Sequence, residues 1–195
     1  MALVDRVRNM IVNPEREWPV VAAERTDPAQ LVAGYLVPLA VVSAVAGFIG
    51  STLLAAVLPF GTFVGGFVSG IIGACISVLL VIVGCYIVAL IINILAPYFG
   101  ARPDYTQAFK TAVYGNTAGL AAGVAQIIPI IGSLVVLLAS LYGLYVLYLG
   151  LPHTMQVPRD RTMVYFLAIL AVCIVLAVVV SIVFTILGVG MAMLA

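Results

Sequence analysis

The longest uncharged tract of the chain is residues 28–101. They read PAQLVAGYLVPLAVVSAVAGFIGSTLLAAVLPFGTFVGGFVSGIIGACISVLLVIVGCYIVALIINILAPYFGA, 74 consecutive residues without a charged side chain. The 15 charged residues of the chain, eight basic and seven acidic, fall in three clusters: 5–27, 102–110 and 159–161. Two further uncharged tracts of 48 and 34 residues follow the second and third clusters. A helix crosses a bilayer core with ~20 apolar residues, so the three tracts hold two, two and one crossings.

Composition supports a membrane protein. The 195 residues are 65% hydrophobic and 8% charged, with a mean hydropathy of +1.31, whereas soluble domains carry about 25% charged residues. The net charge of +1 gives no basic surface for nucleic acid. The sequence therefore predicts one all-α membrane domain with the lipid bilayer as its surroundings and no nucleic-acid partner.

Proline positions match the ends of the uncharged tracts. Pro28 begins the first tract, and Pro59, Pro97, Pro129 and Pro152 end the first four spans, because proline lacks the N–H that continues a helix. We predict a bundle of five transmembrane helices in residues 28–195, with spans at about 28–58, 63–95, 105–128, 132–151 and 163–187. Only residues 129–131 separate the third and fourth spans, which predicts a tight antiparallel hairpin.

Residues 1–27 are predicted to form a cytoplasmic N-terminal segment. Apolar side chains in Leu3–Val12 recur with helical periodicity, which indicates a short amphipathic helix. Two positions for its apolar face stay open: the plane of the membrane surface, or the protein's own helix bundle. Trp18, the one tryptophan, is predicted to be an interfacial anchor.

The positions of lysine and arginine predict the orientation. All eight lie in the N-terminal segment, in the loops before the third and fifth spans, or, for Lys110, near the start of the third span. Cytoplasmic loops carry the excess of Lys and Arg, so the chain is predicted to be N-in and C-out, multi-pass, in the inner (plasma) membrane. We expect contacts with anionic lipid headgroups from the basic side chains near the spans: Arg102, Lys110, Arg159 and Arg161.

Small residues recur at four-residue spacing on the second and third spans. Such faces let membrane helices approach closely. They predict helix-packing or oligomer interfaces, and the choice between packing inside one bundle and a homo-oligomer or larger membrane complex stays open. The residues are Gly66, Gly70 and Ala74 on the second span, and Gly115, Gly119 and Gly123 on the third.

Polar groups within the spans are few. Asn93, Asn116 and Gln126 are predicted either to join helices by hydrogen bonds or to line a polar cavity. No acidic, basic or histidine side chain lies deep within a span, which argues against an ion-coupled carrier and against acid–base catalysis. We therefore predict no catalytic residue, no metal site, no cofactor and no enzymatic activity.

Several short motifs resemble the Yip domain family of five-span membrane proteins, and in particular its bacterial branch. The most specific is the tyrosine-rich run LYGLYVLYLGLP at 141–152. The others are Asn13-Pro14-Glu15-x-Glu17-Trp18, Gly34-Tyr35-x-x-Pro38, Leu95-Ala96-Pro97-x-Phe99-Gly100, Lys110-x-x-x-Tyr114 and Ile128-Pro129-x-x-Gly132. The resemblance implies a five-span fold. Eukaryotic relatives bind prenylated Rab GTPases, whereas bacterial relatives have no established activity.

The sequence leads to two functional hypotheses. The first is a non-enzymatic membrane-organising or accessory scaffold subunit that acts through helix–helix oligomerisation or partner docking. The alternative is a small-solute channel or a lipid or isoprenoid carrier with a polar cavity near Asn93, Asn116 and Gln126.

Overall fold

The computed structural model describes residues 3–57 and 63–194, and the side-chain surroundings of these except 55–57, 63–66, 69, 184 and 187–194. The predicted loop between the first two spans, at 58–62, lies outside the described residues. Within the described ranges the secondary structure is helical and contains no strand, which confirms the all-α prediction. The helices are α1 Leu3–Val12, α2 Pro14–Ala23, α3 Pro28–Leu31, α4 Val37–Val57, α5 Phe63–Leu95, α6 Tyr105–Gly115, α7 Thr117–Ala122, α8 Pro129–Thr154 and α9 Arg159–Leu194.

Four helical stretches are long and apolar enough to cross a membrane among the described residues: Pro28–Leu54, Gly70–Phe99, Pro129–Thr154 and Arg159–Val183. The first combines α3, a π-helical turn at Val32–Leu36 and α4. This turn directly precedes Pro38, whose ring and missing N–H distort a helix. A multi-pass membrane protein is thus the architecture that the helices support.

The predicted single helix over 105–128 is broken in the structure. α6 ends at Gly115, α7 occupies Thr117–Ala122, and a 3₁₀ turn follows at Gly123–Ile127. Asn116 N donates to Val113 O, three residues back, instead of continuing the α-helical pattern. α8 approaches closely at the break: the carbonyl of Gly115 lies against Gly143, where a Cβ on Gly143 would come within 2.7 Å of it.

The end of α8 also differs from the prediction. Pro152 was expected to end the helix, but α8 continues to Thr154. Thr154 Oγ1 donates to Gly150 O across 3.0 Å, and Met155 N donates to Leu151 O across 3.0 Å. These bonds sustain the last turn, although Pro152 itself donates none.

The segment from α6 to the 3₁₀ turn runs antiparallel to α8. Ideal Cβ atoms on Gly115 and Gly119 would lie 2.9 Å from Leu147 and Ser140 side-chain atoms, respectively, and Gly132 lies against Ala125. Residue numbers thus increase along one segment while those of their contact partners decrease along the other, as in an antiparallel pair. The 3₁₀ turn also packs against α4, where Gly50 lies against the backbone of Gln126.

The charged segments meet at one end of the bundle. Arg102 N, in the loop after α5, donates to Met155 O in the loop after α8 across 2.9 Å. α2 packs on α8 and α6 at the same end. The face of α1 that holds Met10 packs against the protein's own helices, while Val4 and Val12 remain exposed.

Candidate functional site

A buried ionic cluster joins α1 to α2. The guanidinium of Arg6 donates to Glu17 Oε1 across 2.5 Å and also to the carboxylate of Glu24. Asn9 Nδ2 donates to Glu17 Oε2 across 3.2 Å. Burial by itself lowers the pKa of Arg6, but the hydrogen bond to Glu24 and the nearby carboxylates outweigh it, so the pKa lies above its ordinary value. Arg6 is therefore held as a cation although it is 7% exposed.

Lys110 holds the end of α2 from the opposite side. Its Nζ donates to Val21 O across 3.1 Å and also to Glu24 O. Gln107 Nε2, one turn earlier on α6, donates to Ala22 O across 3.0 Å. The last carbonyls of a helix have no partner within that helix, so these side chains satisfy them and fix α2 on α6. Lys110 is 2% exposed and is placed within the protein, not at the predicted headgroup contact.

Trp18 is placed inside the protein rather than at the predicted lipid interface. Its ring has no exposed surface, and Nε1 donates to Val146 O of α8 across 2.9 Å. Gly150 provides the space, since a Cβ there would lie 2.5 Å from the ring. A ring enclosed in this way has no surface left for lipid headgroups.

Tyr114 connects the ionic cluster to the first membrane helix. Its ring centroid lies 4.8 Å from that of Tyr35 and 6.4 Å from that of Trp18, and the guanidinium of Arg6 lies 5.9 Å from it. The hydroxyls of Tyr35 and Thr117 are 2.9 Å apart. An aromatic face attracts a cation at this distance, so Tyr114 adds a further contact to Arg6.

The glycines of α5 and of the segment from α6 to the 3₁₀ turn, which include those predicted as interfaces, divide into two groups. Gly115, Gly119 and Gly123 contact α8 or α4 of the same chain, and an ideal Cβ on Gly70 would lie 2.9 Å from the Phe48 ring. Gly73 and Gly84, in contrast, have open space where a Cβ would stand. The side-chain surroundings of Gly66 lie outside the described part, and Ala74 is half-buried beside a cavity.

Two cavities lie along α5 and share Val81. One, of about 400 Å³, lies between α4, α5 and the 3₁₀ turn and is lined in part by Gln126. The other, of about 280 Å³, lies between α5, α6 and α8 and is lined in part by Asn116. Asn93 lines neither of the two cavities, and its Oδ1 is buried without a hydrogen-bond partner among the described residues. The structure therefore brings Asn116 and Gln126 to adjoining cavities, while Asn93 stands apart.

The charged side chains of this arrangement hold helices in position. The buried charged groups Arg6, Glu17 and Lys110 are engaged with one another or with backbone carbonyls. Over the described ranges, no group of three or more His, Cys, Asp or Glu side chains could hold a metal ion.

A family profile described as the Yip1 domain matches residues 8–193, nearly the whole chain. The chain belongs to the Yip1 domain family. Searches of curated proteins and of solved structures give no match. The family is one of membrane proteins and is not known for enzymatic activity.

The motifs that resemble the Yip family from sequence meet in the structure of this Yip1 domain protein. Glu17 and Trp18 come from the N-terminal motif, Tyr35 from the start of the first span, and Lys110 and Tyr114 from α6. With Gly150, they form the contact between the N-terminal helices and the bundle. Separate motifs of the Yip1 domain thus build a single junction.

Sequence reasoning missed Arg6 as a member of this junction. Arg6 lies on the polar face of an amphipathic helix, which predicts exposure, and its acceptors lie in the following segment. Glu17, which belongs to the quoted motif, could have indicated Arg6, because a buried carboxylate requires a cationic partner. Of the predicted headgroup contacts, Arg102, Arg159 and Arg161 are exposed in this Yip1 domain protein, and their lipid contacts remain a prediction.

Proposed function

We propose that this Yip1 domain protein is a non-enzymatic membrane-organising or accessory scaffold subunit that associates with a second copy of itself through α5. The observation that carries the proposal is the open small-residue face of α5. Gly73, Ser77 and Gly84 lie within about 40° of one another around the helix. An ideal Cβ on Gly73 or Gly84 would have no heavy atom within 4 Å, and Ser77 is exposed. Gly73 and Ser77 border the cavity beside α4, and Gly84 borders the cavity beside α8, so a second copy would pack across these openings.

A small-residue face suits a symmetric dimer. Membrane helices associate by close packing of glycine, alanine and serine faces, because lipid offers no hydrophobic driving force between them. The same face on two copies is self-complementary, as a twofold interface requires. The glycines used within the chain, such as Gly115 and Gly123, are already covered, so α5 is the face that a second copy can use.

The middle of α9 is a second helix surface that the described part of the chain leaves exposed. Residues 174–183 are all exposed, which covers every side of the helix over nearly three turns. Ile169 is buried, whereas Ile174 and Val175 are more than half exposed. This part of α9 gives an assembly further helix surface for packing.

The proposal includes five crossings, with the N-terminus in the cytoplasm. Residues 105–127 pair antiparallel with α8 and are numerous enough to span a bilayer core even when broken. Broken helices are tolerated within a membrane where protein buries them, and Ala108–Gly115 is buried throughout. The arginines and the lysine lie at the end that the N-terminal segment occupies, which supports a cytoplasmic location for it.

The mass of the purified protein in nanodiscs or mild detergent tests self-association. We expect a dimer for the native chain and a monomer for Gly73→Leu, because a large side chain prevents close approach. Gly34→Leu is the matched control, since it also has open space but lies at the other end of the bundle on a different helix, and it should remain dimeric. A native chain that is monomeric at every concentration contradicts the proposal.

The adjoining cavities favour a second candidate, a small-solute channel or a lipid or isoprenoid carrier. Asn116 and Gln126 each supply a polar group to a cavity beside α5. A liposome flux assay tests it: flux should be lost in Gln126→Leu and kept in Asn93→Leu, since Asn93 lines neither cavity. No flux above that of empty liposomes rejects this candidate.

A further inference from the structure

A cleft of about 510 Å³ opens between α2, α8 and α9 at the charged end of the bundle. Glu15 lines it from α2, His153 from the last turn of α8, and Arg159 from the first turn of α9. Its volume falls within the range of ~300–1,000 Å³ that is usual for small-molecule sites. The junction described above does not use these residues.

The lining of the cleft changes from charged to apolar along α8. Tyr148 and Leu149 precede His153 on this helix, so they lie further from its end at Thr154 and closer to the middle of a stretch that is long and apolar enough to cross a membrane. These two residues are called the apolar floor of the cleft. The Tyr148 ring packs edge-on against Phe166 of α9, with centroids 5.6 Å apart, which fixes the floor between the two helices. A ligand in this cleft would therefore have one charged end and one apolar end.

The charges at the rim are of both signs and are not paired with each other. Glu15 and Arg159 are exposed, and neither takes part in an ion pair within the described ranges. Arginine recognises phosphate by charge-assisted hydrogen bonds, and the imidazole of His153 adds a polar partner beside it. A carboxylate on the same rim disfavours a purely anionic ligand and favours one that also carries an amine.

We propose that this cleft binds a phospholipid whose headgroup carries both a phosphodiester and a protonated primary amine. Arg159 and His153 take the phosphodiester, Glu15 takes the ammonium group, and Tyr148 and Leu149 contact the upper acyl chains. The proposal requires only that α8 and α9 are embedded in the membrane. It does not depend on the scaffold role or on self-association.

Lipid retention by the delipidated full chain, measured by native mass spectrometry, tests the site. The probes are phosphatidylethanolamine, which has the amine, and phosphatidylglycerol, which lacks it. The native chain should retain one phosphatidylethanolamine in preference to phosphatidylglycerol. Arg159→Gln should weaken the binding of both lipids about fivefold, the effect of one basic residue at a lipid surface. Glu15→Gln should remove the preference and leave phosphatidylglycerol binding intact.

Arg16→Gln is the matched control, because Arg16 is an exposed cation next to Glu15 on α2 that does not line the cleft. It should bind both lipids as the native chain does. Equal losses in Arg159→Gln and Arg16→Gln would mean general attraction to a charged surface and would overturn the site. Equal binding of the two lipids by the native chain would overturn the amine selectivity. Competition by soluble glycerophosphoethanolamine at the lipid's own concentration would overturn the role of the apolar floor.

Discussion

The backbone amide of Arg102 donates a hydrogen bond to the carbonyl of Met155 across 2.9 Å. The first residue follows α5 and the second follows α8, so the loops after these helices lie at the same end of the protein. If α8 crosses the membrane once between them, the proposed crossing in 105–128 returns the chain to the same side, as the contact between the two loops requires. This bond between distant loops favours five crossings over four.

Breaking the buried ionic cluster should release the N-terminal helices. We expect Arg6→Gln to destabilise the protein by ~3–5 kcal/mol, because it leaves Glu17 buried without its cationic partner. Thermal unfolding in detergent measures the loss, and limited proteolysis should show earlier cleavage within residues 1–27. Arg8→Gln, which removes an exposed charge from the same helix, should match the native chain. Equal stability of Arg6→Gln and Arg8→Gln would exclude a structural role for the cluster.

Fluorescence of Trp18, the one tryptophan in the chain, distinguishes a buried ring from a lipid anchor. Brominated lipids quench a tryptophan that they contact, so we expect little quenching at any bromine depth. Strong quenching by bromine near the headgroups would restore the anchor interpretation.

Replacing Gly150 by alanine tests the same enclosure by packing. The new methyl group would lie 2.5 Å from the Trp18 ring, and overpacking of this kind costs ~1–3 kcal/mol. The unfolding transition of Gly150→Ala should fall accordingly. Gly34→Ala, which has open space in front of it, should leave the transition unchanged, and a Gly150→Ala protein as stable as this control would be inconsistent with the packing described.

Glycines within the bundle and on its surface should respond differently to the same change. Gly123→Ala places a methyl group against the Ser43 side chain of α4, so we expect a loss of ~1–3 kcal/mol. Gly73→Ala meets open space, and alanine has the higher helix propensity, so stability should be unchanged or slightly greater. Unfolding in detergent compares the two. A greater loss in Gly73→Ala than in Gly123→Ala would reverse the assignment of the internal and surface faces.

The sequence predicted most of the long helices because their signal is local. The length of the uncharged tract and the proline positions predict a span at about 63–95, which matches the observed α5, Phe63–Leu95. The prediction that a proline ends the helix is wrong at Pro152, where hydrogen bonds from Thr154 and Met155 maintain the turn. A rule that considers one residue at a time cannot include those later bonds.

The contacts that build the junction were not predictable in the same way. Trp18 bonds to Val146, 128 positions away, and nothing near Trp18 in sequence distinguishes burial by α8 from a place at the membrane surface. The close approach of α8 to Gly115, beside the break at Asn116, is likewise a contact between residues far apart in sequence. The motifs that resemble the Yip family include Glu17, Trp18 and Tyr114, but only the structure shows that these residues lie together.

Side-specific cysteine labelling measures the number of crossings. In a background without the native cysteines Cys75, Cys85 and Cys173, single cysteines replace Arg102, Arg159 and Ile130, all exposed positions. With five crossings, a membrane-impermeant reagent should reach positions 102 and 159 from the cytoplasmic side and position 130 from the opposite side. Labelling of 102 and 159 from opposite sides of the membrane would contradict five crossings.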